Sequence, residues 1–597
     1  MAAPLAHRTG PPGAARTADA VPRPLPVRGT LLGLRAVQIA AWPPAVLAVA
    51  HGLDRPGAAG AALVATGGAV LGATLTRAGH RWGYQWLATA LLRRRRPVRA
   101  TLAPHAAPDA GLAALRGTLL PELRIPQAGP ARSKIGVIED GGAWTVVISV
   151  ACGADAIGPA DLLPGALASV LHGDEITLSA VQVLVHAVHG GLGGRPRSEL
   201  VRIALRVDPR TAGPGSEALR VPSFQRTLRL RARRVVEMLA AAGLEARIMD
   251  AGQARAALLA DAAVDPSAER PAHQGWRYWS AGRHRHTVLW VRTWPRTGLS
   301  ALQDGLAGLP AHGTVLSVTL APAPDGTVTA TALVRVITSA GHGRAEAARR
   351  AARRLARSHG ARLVPLTGEH HRGMLATLPL ARAIDGRVTW RHAHRAGTGP
   401  ATAVRMVGGG LPLGRDGTGA PVLLPAFREA PTRIALLADA RLAGVLVLRA
   451  LRSGAAVGIA GGDEAAWARV ARAAGSAAAR LRMAPPDDPA PVEGTCPLPW
   501  LLVSGGAPAH EPPGAWCTSI EILAEGGAGP LGAHDATVVH RPAAAAVDAL
   551  CRTFRLPRRM ADDLRMLPPQ AVALVRRGTV RVVDLSPTQD ERRLLGH

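Results

Sequence analysis

The chain has 597 residues, room for two or more domains beside any membrane part. Its 71 basic and 42 acidic residues give a net charge of +29, which points to nucleic acid, anionic lipid or an acidic partner. Lys134 is the only lysine. A Walker A loop needs a lysine on the β- and γ-phosphates, so a P-loop ATPase is excluded, and Schiff-base chemistry nearly so.

Residues 1–30 are rich in Pro and Arg and read as a disordered cytoplasmic tail with no cleavable signal peptide. Two charge-free runs follow, Ala36 to Leu53 and Pro56 to Thr76. The second, 21 residues long, would measure about 30 Å as a helix, the thickness of a bilayer's hydrocarbon core. The first is interrupted by Gln38, Pro43, Pro44 and His51, which a neighbouring helix can accommodate in lipid. Gly68 and Gly72 have the small-xxx-small spacing of packed membrane helices. Residues 31–76 are therefore expected to form a two-helix transmembrane hairpin.

Orientation follows from the arginines. Arg35 and four earlier arginines precede the first run, and Arg77, Arg81, Arg93, Arg94, Arg95 and Arg96 follow the second, whereas the joining loop carries only Asp54 and Arg55. Cytoplasmic flanks retain basic residues, so both termini are expected inside a cell (inner) membrane, with these arginines and Trp42, Trp82 and Trp86 at the interface. Residues 77–110 read as a basic juxtamembrane connector.

Downstream, residues 111–400 read as an α+β domain with mixed or antiparallel sheet. A hairpin over Arg132 to Val150 turns at Glu139-Asp140-Gly141-Gly142. Strands at 176–188 and 201–207 lead into a helix over Arg226 to Ala242, stopped by Gly243. A second, similar pattern runs through strands at 286–293, 314–320 and 327–337, with a turn at Pro324-Asp325-Gly326, to an Arg-rich helix over Arg344 to His359. On that helix Arg350 and Arg354 share a face and are candidates for docking an acidic partner or lipid headgroups. Residues 401–597 alternate strand and helix from 433 to 504, the pattern of a smaller α/β domain of βαβ type, and 543–573 read as helical.

No catalytic constellation is expected. His284, His286 and Glu369-His370-His371 have no metalloprotease spacing and read as structural histidines. G-x-S-x-G is absent, and the glycines of 408–419 fit turns better than a dinucleotide loop. Cys152, Cys496, Cys517 and Cys551 lie far apart, with no C-x-x-C pair, and read as reduced thiols. The expectation is a non-enzymatic chain with no catalytic residue, cofactor, metal or small-molecule substrate.

Four stretches carry a family resemblance. They are the hairpin with its exit Trp82-Gly83-Tyr84-Gln85-Trp86 and Arg93–Arg96; Lys134-Ile135-Gly136-Val137 with Trp144; Gly368-Glu369-His370-His371-Arg372-Gly373-Met374; and Gly414-Arg415-Asp416-Gly417-Thr418-Gly419 with the later Leu448-Arg449-Ala450-Leu451-Arg452. Together they resemble the EccE component of actinobacterial type VII (ESX) secretion systems. The resemblance implies a non-catalytic structural subunit of the inner-membrane export complex, partnered by EccB, EccC and EccD, with EccC hydrolysing ATP. Anionic membrane lipid is the other expected partner, and no specific nucleic acid is expected. The alternative from a different class is a membrane-tethered nucleic-acid-binding regulator, suggested by the +29 charge.

Overall fold

The structure, a computed structural model, describes residues 6–7, 30–31, 34–78, 81–95, 99–100, 110–130, 134–152, 160–162, 164–172, 176–189, 196–211, 221–242, 244–263, 272–323, 326–384, 394–395, 402–406, 410–417, 421–428, 430–438, 440–484, 499–505, 514–523, 531–576 and 578–595. The fold is mixed α+β. Gly243, Pro324, Asp325, Gly408, Gly409, Gly419, Arg96 and Cys496 lie outside the described residues.

Both apolar runs are helical, α1 (Ala36–Leu53) and α2 (Ala58–Leu75), and they pack against each other. Among the described residues one helix, α2, is long and apolar enough to cross a membrane, so of the two expected spans this one has that support. Polar residues of α1 are paired across the hairpin. Gln38 Nε2 donates to the Thr74 carbonyl at 2.8 Å, and Trp42 Nε1 donates to Thr74 Oγ1 at 3.1 Å. Close approach occurs at Gly60 and Gly67, where a Cβ would lie 2.7 Å from the Gly52 carbonyl oxygen and 2.5 Å from that of Ala45. Gly68 and Gly72, whose spacing suggested the packing face, have open space where a Cβ would be.

After a short β-turn pairing of Arg77–Ala78 with Arg81–Trp82, helix α3 (Gly83–Arg95) occupies the start of the expected connector. Arg99–Ala100 then pairs with Ala272–His273 at a sheet edge. The described parts of the connector thus belong to the folded domain. Even in the expected tail, Ala6–His7 pairs with Asp161 and Leu162.

The sheet domain is a duplication. Its first half contains β1 (Ile135–Asp140), β2 (Ala143–Cys152), β3 (Ala180–His189), β4 (Pro196–Val207), α4 (Val221–Ala241), β5 (Leu244–Ile248) and α5 (Ala251–Ala262). The second contains β6 (Trp279–Ala281), β7 (His284–Thr293), α6 (Leu299–Ala307), β8 (Gly313–Pro322), β9 (Val328–Ser339), α7 (His342–Ser358), β10 (Arg362–Pro365) and α8 (His370–Ala376). The strand order is β6-β7-β9-β8-β3-β4-β2-β1. β1 and β5 share the outer edge of β2, and β6 and β10 share that of β7 in the same way. The halves meet at the antiparallel β3–β8 pair, Val185 opposite Leu316, so a pseudo-two-fold axis relates them. Every pairing among these strands is antiparallel, so of the mixed or antiparallel sheet expected here it is the antiparallel one.

Periodicity decides the layers. In α4, Phe224, Leu228, Ala232, Val235 and Leu239 recur every three or four residues and are buried on one sheet face, where Ala348, Ala352 and Ala356 of α7 also pack. α5 and α8 cover the opposite face through Ala257, Leu258, Met374 and Leu375. α5 begins at Asp250, whose side chain accepts from Gln253 N while the Gln253 side chain accepts from Asp250 N, a reciprocal capping box. The β1–β2 hairpin closes at Gly141 and Gly142, both with positive φ (59° and 81°), as its two-residue loop requires.

The C-terminal unit is α/β with a mixed sheet. Six strands run parallel, in the order 536–539, 432–437, 517–522, 500–505, 456–460, 481–484. Antiparallel strands 571–576, 579–584, 411–415 and 421–424 extend one edge. Strands 411–415 and 421–424 supply this last hairpin, in keeping with hairpin or turn glycines in the stretch 408–419. The expected helical stretch 543–573 is two helices, Ala544–Phe554 and Arg558–Arg565, followed by the strand Ala571–Arg576. The unit docks on the first domain through Trp516, buried against Val188, Leu200 and Ala260, and through Arg576, which donates to Glu245 at 2.9 Å.

Candidate functional site

The feature that links the apolar hairpin to the sheet domain is the hairpin exit. Arg81 is fully buried. Its Nη2 donates to Glu369 Oε2 at 2.7 Å and its Nη1 to the Thr367 carbonyl at 2.9 Å, while its guanidinium lies 4.9 Å from the Trp86 ring centroid. Burial lowers the Arg81 pKa, and the Glu369 carboxylate opposes that shift. Trp86 in turn meets Trp276, with ring centroids 5.7 Å apart.

The turn that presents Glu369 has room for nothing larger than glycine at 368. Gly368 has φ 77°, its N–H donates to the Trp276 carbonyl at 2.9 Å, and a Cβ would sit 2.7 Å from the Thr89 methyl. Residues 368–374 therefore hold the exit segment on the sheet domain. What the junction can do chemically is mechanical: it ties a helix-bearing segment to a rigid sheet through a charge-assisted bond.

Beside it lies a basic surface. Arg77 is exposed, 5.4 Å from the Trp82 ring centroid. α7 buries its alanine stripe and turns Arg350, Arg354 and Arg357 outward. On its flank Arg349 donates to Glu346 at 2.7 Å. That hydrogen bond is the largest reason the Glu346 carboxyl lies below its ordinary range.

A second polar cluster is internal, on the sheet face covered by α5 and α8. Asp261 accepts from Arg202 Nη1 at 2.7 Å and meets His186 Nδ1 at 2.7 Å. Arg335 donates to the Asp261 carbonyl and to Met374 Sδ, bridging the two halves of the duplication. All four residues are buried. Burial would raise the Asp261 pKa, but Arg202, His186 and Arg335 outweigh it and hold the group ionised. Burial lowers His186 and pushes Arg335 down to about 10. Nearby, Gln182 donates to Ser317 Oγ and the Ala376 carbonyl and accepts from Ala381 N. Through these contacts the cluster ties the two halves and the covering 374–381 segment together.

The expected site residues divide. Trp42 is half-buried within the hairpin, and Trp82 and Trp86 are half-buried at the exit. Arg81, expected at the lipid interface, instead turns inward to Glu369. Arg35 ends the short strand Leu34–Arg35, and Arg93, Arg94 and Arg95 lie in α3. Arg350 and Arg354 are exposed as expected. His370 is fully buried, its Nδ1 accepting from Val288 N at 3.1 Å, and burial pushes its pKa down to about 3. His284 stacks edge-on to His312. No group of three or more His, Cys, Asp or Glu residues among the described residues could hold a metal. Glu369, Asp261, Arg202 and Arg335 were missed as partners, because each acts across long sequence separations that residue spacing does not reveal.

Comparison with known families bears out the resemblance. The family model described as "Putative type VII ESX secretion system translocon, EccE" matches residues 196–291. That segment runs from β4 through α4, β5 and α5 to β7, and it contains Arg202, Asp261 and His286. No curated protein matches the chain.

Proposed function

We propose that this chain is a non-catalytic, membrane-anchored structural subunit of an actinobacterial type VII secretion complex. The carrying observation is that the segment matching the EccE translocon model supplies β4, β5, β6 and most of β7 to a sheet domain, to which an apolar hairpin is tied by the buried Arg81–Glu369 bond. In this reading α1 and α2 both span the cell membrane, with α1 sheltered by its contacts to Thr74, and both termini are cytoplasmic. The basic exit, including Arg93, Arg94, Arg95 and Arg96, meets anionic lipid. The exposed face of Arg350 and Arg354 serves neighbouring subunits of the EccB, EccC and EccD kinds.

The topology is testable by single-cysteine labelling in intact cells. A cysteine at Asp54 should react with an impermeant reagent, and cysteines in the tail or at the C-terminus should not. Labelling of the C-terminal position and protection of position 54 would invert the topology and remove the proposal.

A further inference from the structure

Helix α3 leaves the hairpin exit with two unlike sides. It starts where the Gln85 side chain accepts from Trp82 N at 3.0 Å. Its first residue lies against the end of α2: Gly83 N donates to the Thr76 carbonyl at 2.9 Å, and a Cβ at 83 would sit 2.8 Å from the Ala73 carbonyl oxygen. One side of α3 then belongs to the sheet domain. Gln85 and Thr89, one turn apart, are buried, the Thr89 methyl lies against Gly368, and Trp86 meets Trp276. The other side is apolar and open. Tyr84, Leu87, Ala88 and Leu91 recur at i, i+3, i+4 and i+7, which gathers them into one stripe. Leu87 is 56% and Leu91 45% exposed, with Tyr84 and Ala88 half-buried between them and the domain. Arg93, Arg94 and Arg95 close the helix. An open apolar stripe ending in a basic run is the make-up of a helix that lies on a membrane.

We propose that α3 lies in the plane of the membrane interface, its Tyr84, Leu87, Ala88 and Leu91 stripe immersed where headgroups meet acyl chains and its Gln85 and Thr89 side carrying the sheet domain. The proposal rests on the membrane-anchored reading and deepens it. Position argues for lipid as the occupant. The Gly83 contact holds the start of the stripe at the end of α2, the candidate span, whose last residue, Leu75, is itself exposed. In the anchored reading α2 ends at the headgroups, so α3 begins at that depth. The Arg81–Glu369 bond and the Gly368 contact then pass the orientation of α3 to the sheet domain, which is seated against the bilayer and not hung from a loose tether.

The test places the photocrosslinker benzoylphenylalanine at single positions of the full-length protein, reconstituted in nanodiscs of phosphatidylcholine with phosphatidylglycerol, and reads lipid adducts by peptide mass spectrometry. Leu87 and Leu91 are exposed, so the probe replaces no packed side chain. Adducts at 87 and 91 should match those at Leu47, exposed on the hairpin, and exceed by about ten-fold those at Met566, exposed in the C-terminal unit. Because the probe is itself apolar, a second variant removes the native stripe: with Leu87→Asp, adducts at 91 should fall by about ten-fold while those at 47 are unchanged. Adducts at 47 with none at 87 or 91, or adducts at 91 that survive Leu87→Asp, overturn the proposal and leave the anchor standing. Crosslinks from 87 or 91 to protein in place of lipid, in nanodiscs or in native membrane, make the stripe a subunit-docking face and also overturn it. Absence of lipid adducts at 47 removes the anchored reading and the proposal with it.

Discussion

Arg81 and Glu369 lie 2.7 Å apart across 288 residues of chain, and this pair joins the exit of the apolar hairpin to the sheet domain. Arg81 is completely buried, so removing its partner strands a cation in a site water does not reach. Glu369→Gln is expected to cost about 3–5 kcal/mol of stability, as for a broken buried pair. Replacing both, as Arg81→Met with Glu369→Leu, should cost less than the single change. Thermal unfolding in detergent micelles measures these beside Arg81→Met alone, and a double-variant loss equal to the sum of the two single losses would show that the pair is not coupled.

The Asp261 site makes a similar claim for the duplicated sheet. Asp261→Asn removes the charge that Arg202, His186 and Arg335 share, and should destabilise the domain by about 3–5 kcal/mol in urea titration. Because Arg335 links α5 to α8, hydrogen exchange in 370–381 should rise in the variant. Unchanged protection there would mean that the cluster does not hold the covering segment.

Acid should weaken the fold before most carboxylates titrate. Burial pushes His370 down to about 3 and His371 to about 4. Unfolded, both titrate near 6.5, so the unfolded state binds more protons between those values. Their contribution is complete above about pH 6.5 and is lost as pH falls towards 3–4. His370→Asn, which can still accept from Val288 N, should flatten the stability profile over that window by up to one proton's slope.

Glu199 has the opposite sign. Burial raises its pKa to about 7, against the hydrogen bond from Gln303. The folded state therefore holds the proton better, and the stability this gives is complete below about 4.5 and is lost as pH rises through about 7. Glu199→Gln should stabilise the protein at pH 8 by on the order of 2–3 kcal/mol and make no difference at pH 4. Stabilisation of equal size at both pH values would contradict the assignment.

Much of this architecture is legible in the residues. The two sheet halves show as a repeated pattern of strands ending in a long helix, and Phe224, Leu228, Val235 and Leu239 mark the buried stripe of α4. β5 and α5 are not read, although Asp250 and Gln253 have capping-box spacing, because five residues of strand give too short a period. The stretch Ala571–Val575 is apolar and its first three residues fall in the stretch read as helical, 543–573, while the pairing of 571–576 with 579–584 makes it a strand. Gly68 and Gly72 have the expected spacing, but the rotation of α2 puts Gly60 and Gly67 against α1 instead. The exit site is half visible. Arg81 and Glu369 both fall in stretches noted for other reasons, yet only the three-dimensional path brings them together.

The central claim is membership of a membrane secretion assembly, and one measurement tests it most directly. The tagged full-length protein is extracted from its native membrane in mild detergent, crosslinked lightly and recovered for mass spectrometry. The account predicts co-recovery of a multi-ATPase-domain subunit and a polytopic membrane partner, with recovery reduced by charge reversal at Arg350 and Arg354. Recovery as a lone chain, or with nucleic-acid-associated proteins alone, would contradict it.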